Sequence, residues 1–129
     1  MTLVIDASAL MTVLIEPGDR GEQVADVLAG HDLHAPDLLP YEVANVLRRH
    51  RAADRLSPTE AALALQAARR LPVELWSSEV LGDRVWALTG SLSAYDGAYV
   101  ALAERLEAPL VTGDARLARG SGYERVLLV

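Results

Sequence analysis

A short, wholly apolar run that ends in an acid constrains this chain more than any other feature. Leu3-Val4-Ile5 leads straight into Asp6, and Leu110-Val111-Thr112-Gly113 leads into Asp114. Runs this short and this apolar suit strands of a parallel sheet covered on both faces, because a strand with one wet face would alternate. Between them lie longer stretches with apolar residues three and four apart, the helical period. Strands alternating with helices predict an α/β fold on a mainly parallel sheet.

Leu3 to Ile5 is the first predicted strand. Ala7 to Ile15 reads as a helix stopped by Pro17-Gly18, and Gly21 to Ala29 as a second, with Val24, Val27 and Leu28 at helical spacing. Leu33 to Ala35 fits a further strand. Leu38 to Arg51 predicts a long helix with a stripe of Leu39, Val43, Val46 and Leu47. Ser57-Pro58-Thr59-Glu60 is a capping box with proline at the first helical position; its helix runs to Arg70 and stops before Pro72. Val73 to Trp76 predicts a strand and Ser78 to Leu88 a helix. Tyr95 to Leu106 is another helix, with Tyr95, Tyr99, Leu102 and Leu106 on one face. Leu110-Val111 is a strand, Asp114 to Arg119 a short helix, and Arg125 to Val129 the closing strand. No linker, repeat or low-complexity tract interrupts residues 1–129, which predicts one domain.

The absence of cysteine excludes a disulfide framework, a thiolate zinc site and a cysteine nucleophile, and suits a reducing cytoplasm. No stretch approaches the roughly 18 uncharged apolar residues of a membrane helix, and the start lacks the pattern of a signal peptide. The net charge of −6 argues on average against a nucleic-acid partner, because phosphate binding is largely electrostatic. That average conceals clusters: Arg48, Arg49, Arg51 and Arg55, then Arg69-Arg70, then Arg116 and Arg119. All twelve basic residues are arginine. Such clusters are more often solvated helix faces than binding patches.

Asp6 and Asp114 follow strands, and open α/β sheets bind ligands beyond the carboxyl ends of their strands. Glu42 has Leu39 at i−3 and Val46 at i+4; Asp96 has Tyr99 at i+3 and Val100 at i+4. Both therefore sit on the edges of apolar stripes. Each acid alone has an ordinary explanation. Asp6 and Asp114 precede helices, where aspartate is a common N-cap; Glu42 and Asp96 lie near helix starts, where an acid favours the macrodipole. Gathered in one cleft, however, the four would raise one another's pKa. With no lysine in the chain, the expected partner is a hard divalent cation, Mg²⁺ or Mn²⁺. Such a centre suits hydrolysis of a phosphodiester.

Four blocks carry a family resemblance: Asp6-Ala7-Ser8-Ala9-Leu10, Pro40-Tyr41-Glu42-Val43-Ala44-Asn45-Val46-Leu47, Leu92-Ser93-Ala94-Tyr95-Asp96-Gly97-Ala98-Tyr99-Val100-Ala101-Leu102-Ala103, and Leu110-Val111-Thr112-Gly113-Asp114. In order and spacing they resemble the PIN domain, and within it the toxin ribonucleases of VapBC-type toxin–antitoxin systems. The resemblance spans the whole chain. It implies a three-layer α/β/α sandwich around a central, mainly parallel sheet. It implies a Mg²⁺- or Mn²⁺-dependent endoribonuclease with Asp6, Glu42, Asp96 and Asp114 as its catalytic and metal-binding acids. In the family the positions of Ser8 and Thr112 orient carboxylates or waters, and Asn45, one turn after Glu42, is a third supporting candidate. Local capping or turn hydrogen bonding is the ordinary reading of all three. Arg48, Arg49, Arg51 and Arg116 are candidates for RNA phosphates. A toxin of this kind further implies a homodimer and a VapB-like antitoxin whose tail covers the acidic cleft. The stripes near Leu10 to Ile15 and Leu39 to Leu47 leave room for it, although most of their residues are expected in the core. The chain departs from the family at Gly97, where a helix former such as alanine is typical; glycine costs about 1 kcal/mol inside a helix.

Competing functions lack their parts. Response-regulator receivers and haloacid-dehalogenase-type phosphatases use a lysine near the acids, and the latter a second aspartate where Ser8 stands. A Gly-Lys-Ser/Thr phosphate loop is missing. His31 and His34 are expected at the surface of a loop-like stretch. The alternative from another class is a non-catalytic PIN module that binds RNA or a protein and uses its acids for stability.

Overall fold

The computed structural model describes residues 1–16 and 18–129. Its strands, β1 (Thr2–Ile5), β2 (Asp32–Pro36), β3 (Val73–Trp76), β4 (Leu110–Thr112) and β5 (Val126–Leu128), form one five-stranded sheet in the order β3-β2-β1-β4-β5. All pairings are parallel. Val4 and Ile5 register with Leu110 and Val111 at the centre, where all four are wholly buried. This is the two-sided burial that the apolar runs predict.

The helices are α1 (Ala7–Ile15), α2 (Asp19–Leu28), α3 (Leu39–Ala52), α4 (Pro58–Arg70), α5 (Ser78–Leu88), α6 (Ala94–Leu106) and α7 (Ala115–Gly120). From β1 the chain steps outward to β2 and β3, then crosses back to β4 and outward to β5. Right-handed crossovers therefore put α1 to α4 on one face of the sheet and α5 to α7 on the other. The packing agrees: α1 touches α2, α3 and α4, whereas α5 packs on α6 and α6 on β1, β2 and β4. The result is an α/β/α sandwich. Its winding reverses between β1 and β4, and the crevice at their carboxyl ends is where such folds bind ligands. Asp6 and Asp114 stand at that point.

Local signals account for most boundaries. Ser57 and Glu60 complete the capping box, Ser57 Oγ accepting from Glu60 N at 3.0 Å and Glu60 Oε1 accepting from Ser57 N at 2.9 Å. Helix α2 starts at Asp19, two residues ahead of the expected Gly21. Gly21 is instead a packing residue within it, since a Cβ there would come within 2.7 Å of the Glu16 carbonyl oxygen. The expected stop at Pro17 lies outside the described residues.

The strand expected over Leu33 to Ala35 is present as β2, but His34 within it departs from the surface reading: it is half-buried against Trp76 of the neighbouring β3. Trp76 Nε1 donates to its Nδ1 at 3.1 Å, and Glu74 stands opposite it in the register. No described helix is long and apolar enough to cross a membrane.

Candidate active site

Asp6 is the N-cap of α1, and its Oδ1 accepts from Ala9 N at 3.0 Å. Ser8 Oγ donates to the same oxygen at 2.6 Å, and the Thr112 hydroxyl donates to Oδ2. Thr112 is fully buried at the end of β4. Its Oγ1 also accepts from Asp114 N at 3.0 Å, and Gly113 N donates to Ser8 Oγ at 2.8 Å. The end of β4 is thus stitched to the start of α1 through side chains on both. Capping and site-building are the same arrangement here.

Asp114 caps α7 through Oδ1, which accepts from Arg116 N at 2.9 Å and Leu117 N at 3.2 Å. Its Oδ2 faces the Arg116 guanidinium at 3.6 Å. The same Arg116 nitrogen lies 4.0 Å from Asp96 Oδ2, on the first turn of α6. Ser93 fixes that turn by accepting from Asp96 N at 3.1 Å. Glu42, in the first turn of α3, accepts a 2.5 Å hydrogen bond at Oε1 from the buried Tyr99 hydroxyl. Glu42, Asp96 and Arg116, with Tyr95 and Leu117, line one cleft of about 430 Å³.

The electrostatics show that the acids feel one another. Burial pushes the Asp6 carboxyl above its ordinary value, against hydrogen bonds from Ser8, Thr112 and Ala9, and Asp114 adds to the rise. Burial also raises Glu42, against the Tyr99 hydrogen bond, with the charges of Asp6 and Asp96 contributing. Tyr99 is held far above the ordinary phenol range by burial and then by Glu42, so it stays a donor.

This donor set fits a hard divalent cation: carboxylates and hydroxyls only, on a chain without lysine. Among the described residues no group of three or more such side chains is already drawn together as a cage. Arg116 instead stands as the counter-charge between two of the acids.

Among the described residues the remaining candidates make no hydrogen bond or ion pair with the four acids. Asn45 is exposed, and its Oδ1 accepts from Arg48 Nε at 3.1 Å. Arg48, Arg49 and Arg51 are exposed on α3. They stand roughly 9 to 14 Å along the axis from Glu42 at the helical rise per residue. Sequence reasoning passed over Tyr99, counting it only as part of an apolar stripe. The available signal was its hydroxyl, since a buried phenol needs a partner.

A family model described as PIN domain matches residues 3–122. The chain is 43% identical over 115 residues to a VapC ribonuclease of Mycobacterium bovis, covering 89% of this chain and 87% of that protein. Among solved structures it resembles PAE2754 from Pyrobaculum aerophilum, with a TM-score of 0.72 at 21% identity, covering 100% of this chain and 90% of that one. It also resembles VapBC2 from Rickettsia felis, solved bound to a DNA fragment from its promoter. There the TM-score is 0.62 at 11% identity, covering 100% of this chain and 98% of that one.

Proposed function

The chain belongs to the PIN domain family, and from that premise we propose that it is a divalent-metal-dependent endoribonuclease, the toxin of a VapBC-type toxin–antitoxin pair. What supports this reading is that Asp6 and Asp114 follow β1 and β4 at the switch point of the sheet, that Arg116 lies against both Asp114 and Asp96, and that Glu42 lines the same cleft as Asp96 and Arg116. The likeness to a VapC ribonuclease over most of both chains supports it.

In this reading Asp6, Asp96 and Asp114 hold one Mg²⁺ or Mn²⁺, and Glu42 holds a second or orients the attacking water. A bound cation supplies Lewis acidity and neutralises charge on the phosphodiester. The chain's own work is positional. Ser8 and Thr112 fix both oxygens of Asp6. The cap fixes Asp114. Tyr99 occupies Oε1 of Glu42 and leaves Oε2 for the second cation or the attacking water. In-line attack leaves a 3′-hydroxyl and a 5′-phosphate. Arg116 and the α3 arginines meet RNA phosphates.

The partners in this reading are RNA, a second copy of the chain and a VapB-like antitoxin, in the cytoplasm. A groove of about 520 Å³ between α1, α3, α4 and β3, lined by Leu10, Leu39, Tyr41, Leu65 and Leu75, suits an apolar antitoxin segment. The test incubates antitoxin-free protein with a structured RNA pool, with Mn²⁺ or Mg²⁺ and then EDTA, alongside Asp6→Asn. Cleavage that needs both the metal and Asp6 is expected. Absence of both cleavage and metal binding would favour the non-catalytic module.

A further inference from the structure

The helix that carries Asp96 also carries a side chain for which neither the fold nor the chemistry above has a use. Tyr95 is 67% exposed, while Tyr99 and Leu102 further along α6 are buried. The expected apolar face of α6 therefore begins one turn later than its spacing implies. Tyr95 instead lines the cleft beside Glu42, Asp96 and Arg116. An aromatic ring left in water at the rim of a charged cleft is a contact surface in search of a flat, polarizable partner.

The electrostatics narrow what that partner is. The chain is acidic overall, with a net charge of −6, and the cleft carries the carboxylates of Glu42 and Asp96 against the single guanidinium of Arg116. Phosphate attraction alone is a weak way to hold RNA there. Stacking does not depend on net charge. A cation for the backbone and an aromatic ring for the base are the two parts of a single-strand binding site. Arg116, 80% exposed, is the cation, and Tyr95 is the ring. Leu92 and Leu117 add apolar surface to the lining of the same cleft.

We propose that Tyr95 is a stacking platform for one unpaired nucleobase of the RNA substrate, adjacent to the phosphate presented to the acids. This rests on the ribonuclease reading and specifies its substrate as locally single-stranded. Bases within an A-form duplex are already stacked and paired, so only a splayed nucleotide can reach the ring. Because every base has a π-face, Tyr95 supplies affinity and positioning with little base preference.

The test measures binding in the cleavage-deficient Asp6→Asn protein with Mg²⁺ present. The probes are an end-labelled, mixed-sequence single-stranded RNA and the same strand annealed as a duplex, followed by fluorescence anisotropy. Tyr95→Ala should weaken single-strand binding about 5- to 100-fold. Tyr95→Phe and Tyr95→Trp should retain it, and the duplex should bind weakly and be insensitive to all three. Trp86→Ala, which removes an exposed aromatic outside the cleft, should have no effect. Equal binding by Tyr95→Ala and its parent overturns the inference, as does a loss for Phe and Trp as large as for Ala. An equal loss in Trp86→Ala also overturns it. No RNA binding by the parent, together with no metal-dependent cleavage by the wild type, removes the ribonuclease reading itself.

Discussion

Tyr99 reaches from the buried face of α6 to Oε1 of Glu42 on α3, and its hydroxyl is the group that fixes this acid's orientation. The phenol cannot ionise in that setting, so it acts only as a donor. Tyr99→Phe keeps the ring and removes the donor. Hydrogen-bond partners of metal-site carboxylates typically contribute 10- to 100-fold in activity or metal affinity. Tyr99→Phe should lower kcat, or raise the Mn²⁺ half-saturation, by about that factor. KM for RNA should change little, because Tyr99 does not line the cleft. Urea denaturation should show a loss of about 1–2 kcal/mol, as for one hydrogen bond to a partly buried acceptor. Unchanged kcat and unchanged metal dependence would leave the bond a purely structural one.

Asp6 makes the metal-free fold pH-sensitive in a definite direction. Burial raises its folded pKa above the unfolded value of 3.8. An acid of that kind binds protons more readily when folded, so its contribution to stability is greatest below the unfolded value. That contribution is lost as pH rises through the folded one. Glu42 has the same sign. In EDTA at neutral pH, Asp6→Asn should therefore melt above the wild type, and the gap should close as the pH is lowered toward 3.8. Mn²⁺ should raise the wild-type midpoint and leave that of Asp6→Asn nearly still. A gap that is the same at every pH would mean that the variant acts by packing.

Gly97 stands inside α6 without a steric reason. A Cβ there would meet Leu88 Cβ and Val85 Cγ1 at 3.7 Å, ordinary contact distances. Gly97→Ala should stabilise the protein by about 0.4–1 kcal/mol, mainly by restricting the unfolded chain. Thermal and urea unfolding measure this, and metal-dependent cleavage should be retained. A destabilised variant would show that α6 needs to close on α5 at this residue more tightly than a methyl allows.

What was legible in the chain was whatever is written locally. Leu3 to Ile5 and Val73 to Trp76 announce strands without reference to a neighbour, and Ser57 with Glu60 announces a helix start. Asp6 and Asp114 stood out because each follows an apolar run. Features that depend on distant pairing were not legible from periodicity. His34 falls within the expected strand but reads as a surface residue until β3 is known to bring Trp76 against it. Tyr99 reads as core until α3 brings Glu42 to its hydroxyl across 57 residues of chain. Tyr95 and Tyr99 share a spacing of four, yet the first turn of α6 extends beyond the packed face, so one is exposed and the other buried. Gly21 looked like a helix start because close approach by Glu16 leaves no mark on its own neighbours.

Arg116 holds two positions in tension. Its guanidinium lies 3.6 Å from Asp114 Oδ2 and 4.0 Å from Asp96 Oδ2, the carboxylates assigned above to the cation. At 80% exposure this pairing is well solvated, and exposed pairs of this kind contribute little to stability. Arg116→Ala should therefore leave the unfolding free energy within about 0.5 kcal/mol of the wild type. It should tighten Mn²⁺ binding, measured by titration calorimetry, because a competing positive charge leaves the acids. RNA should respond in the opposite way. Losing one phosphate contact weakens binding and reduces the slope of log K against log salt by about 0.7 for a single strand. A variant with unchanged metal affinity and an unchanged salt slope would make Arg116 a bystander. A change in only one would show which of the two anions, carboxylate or phosphate, the guanidinium serves.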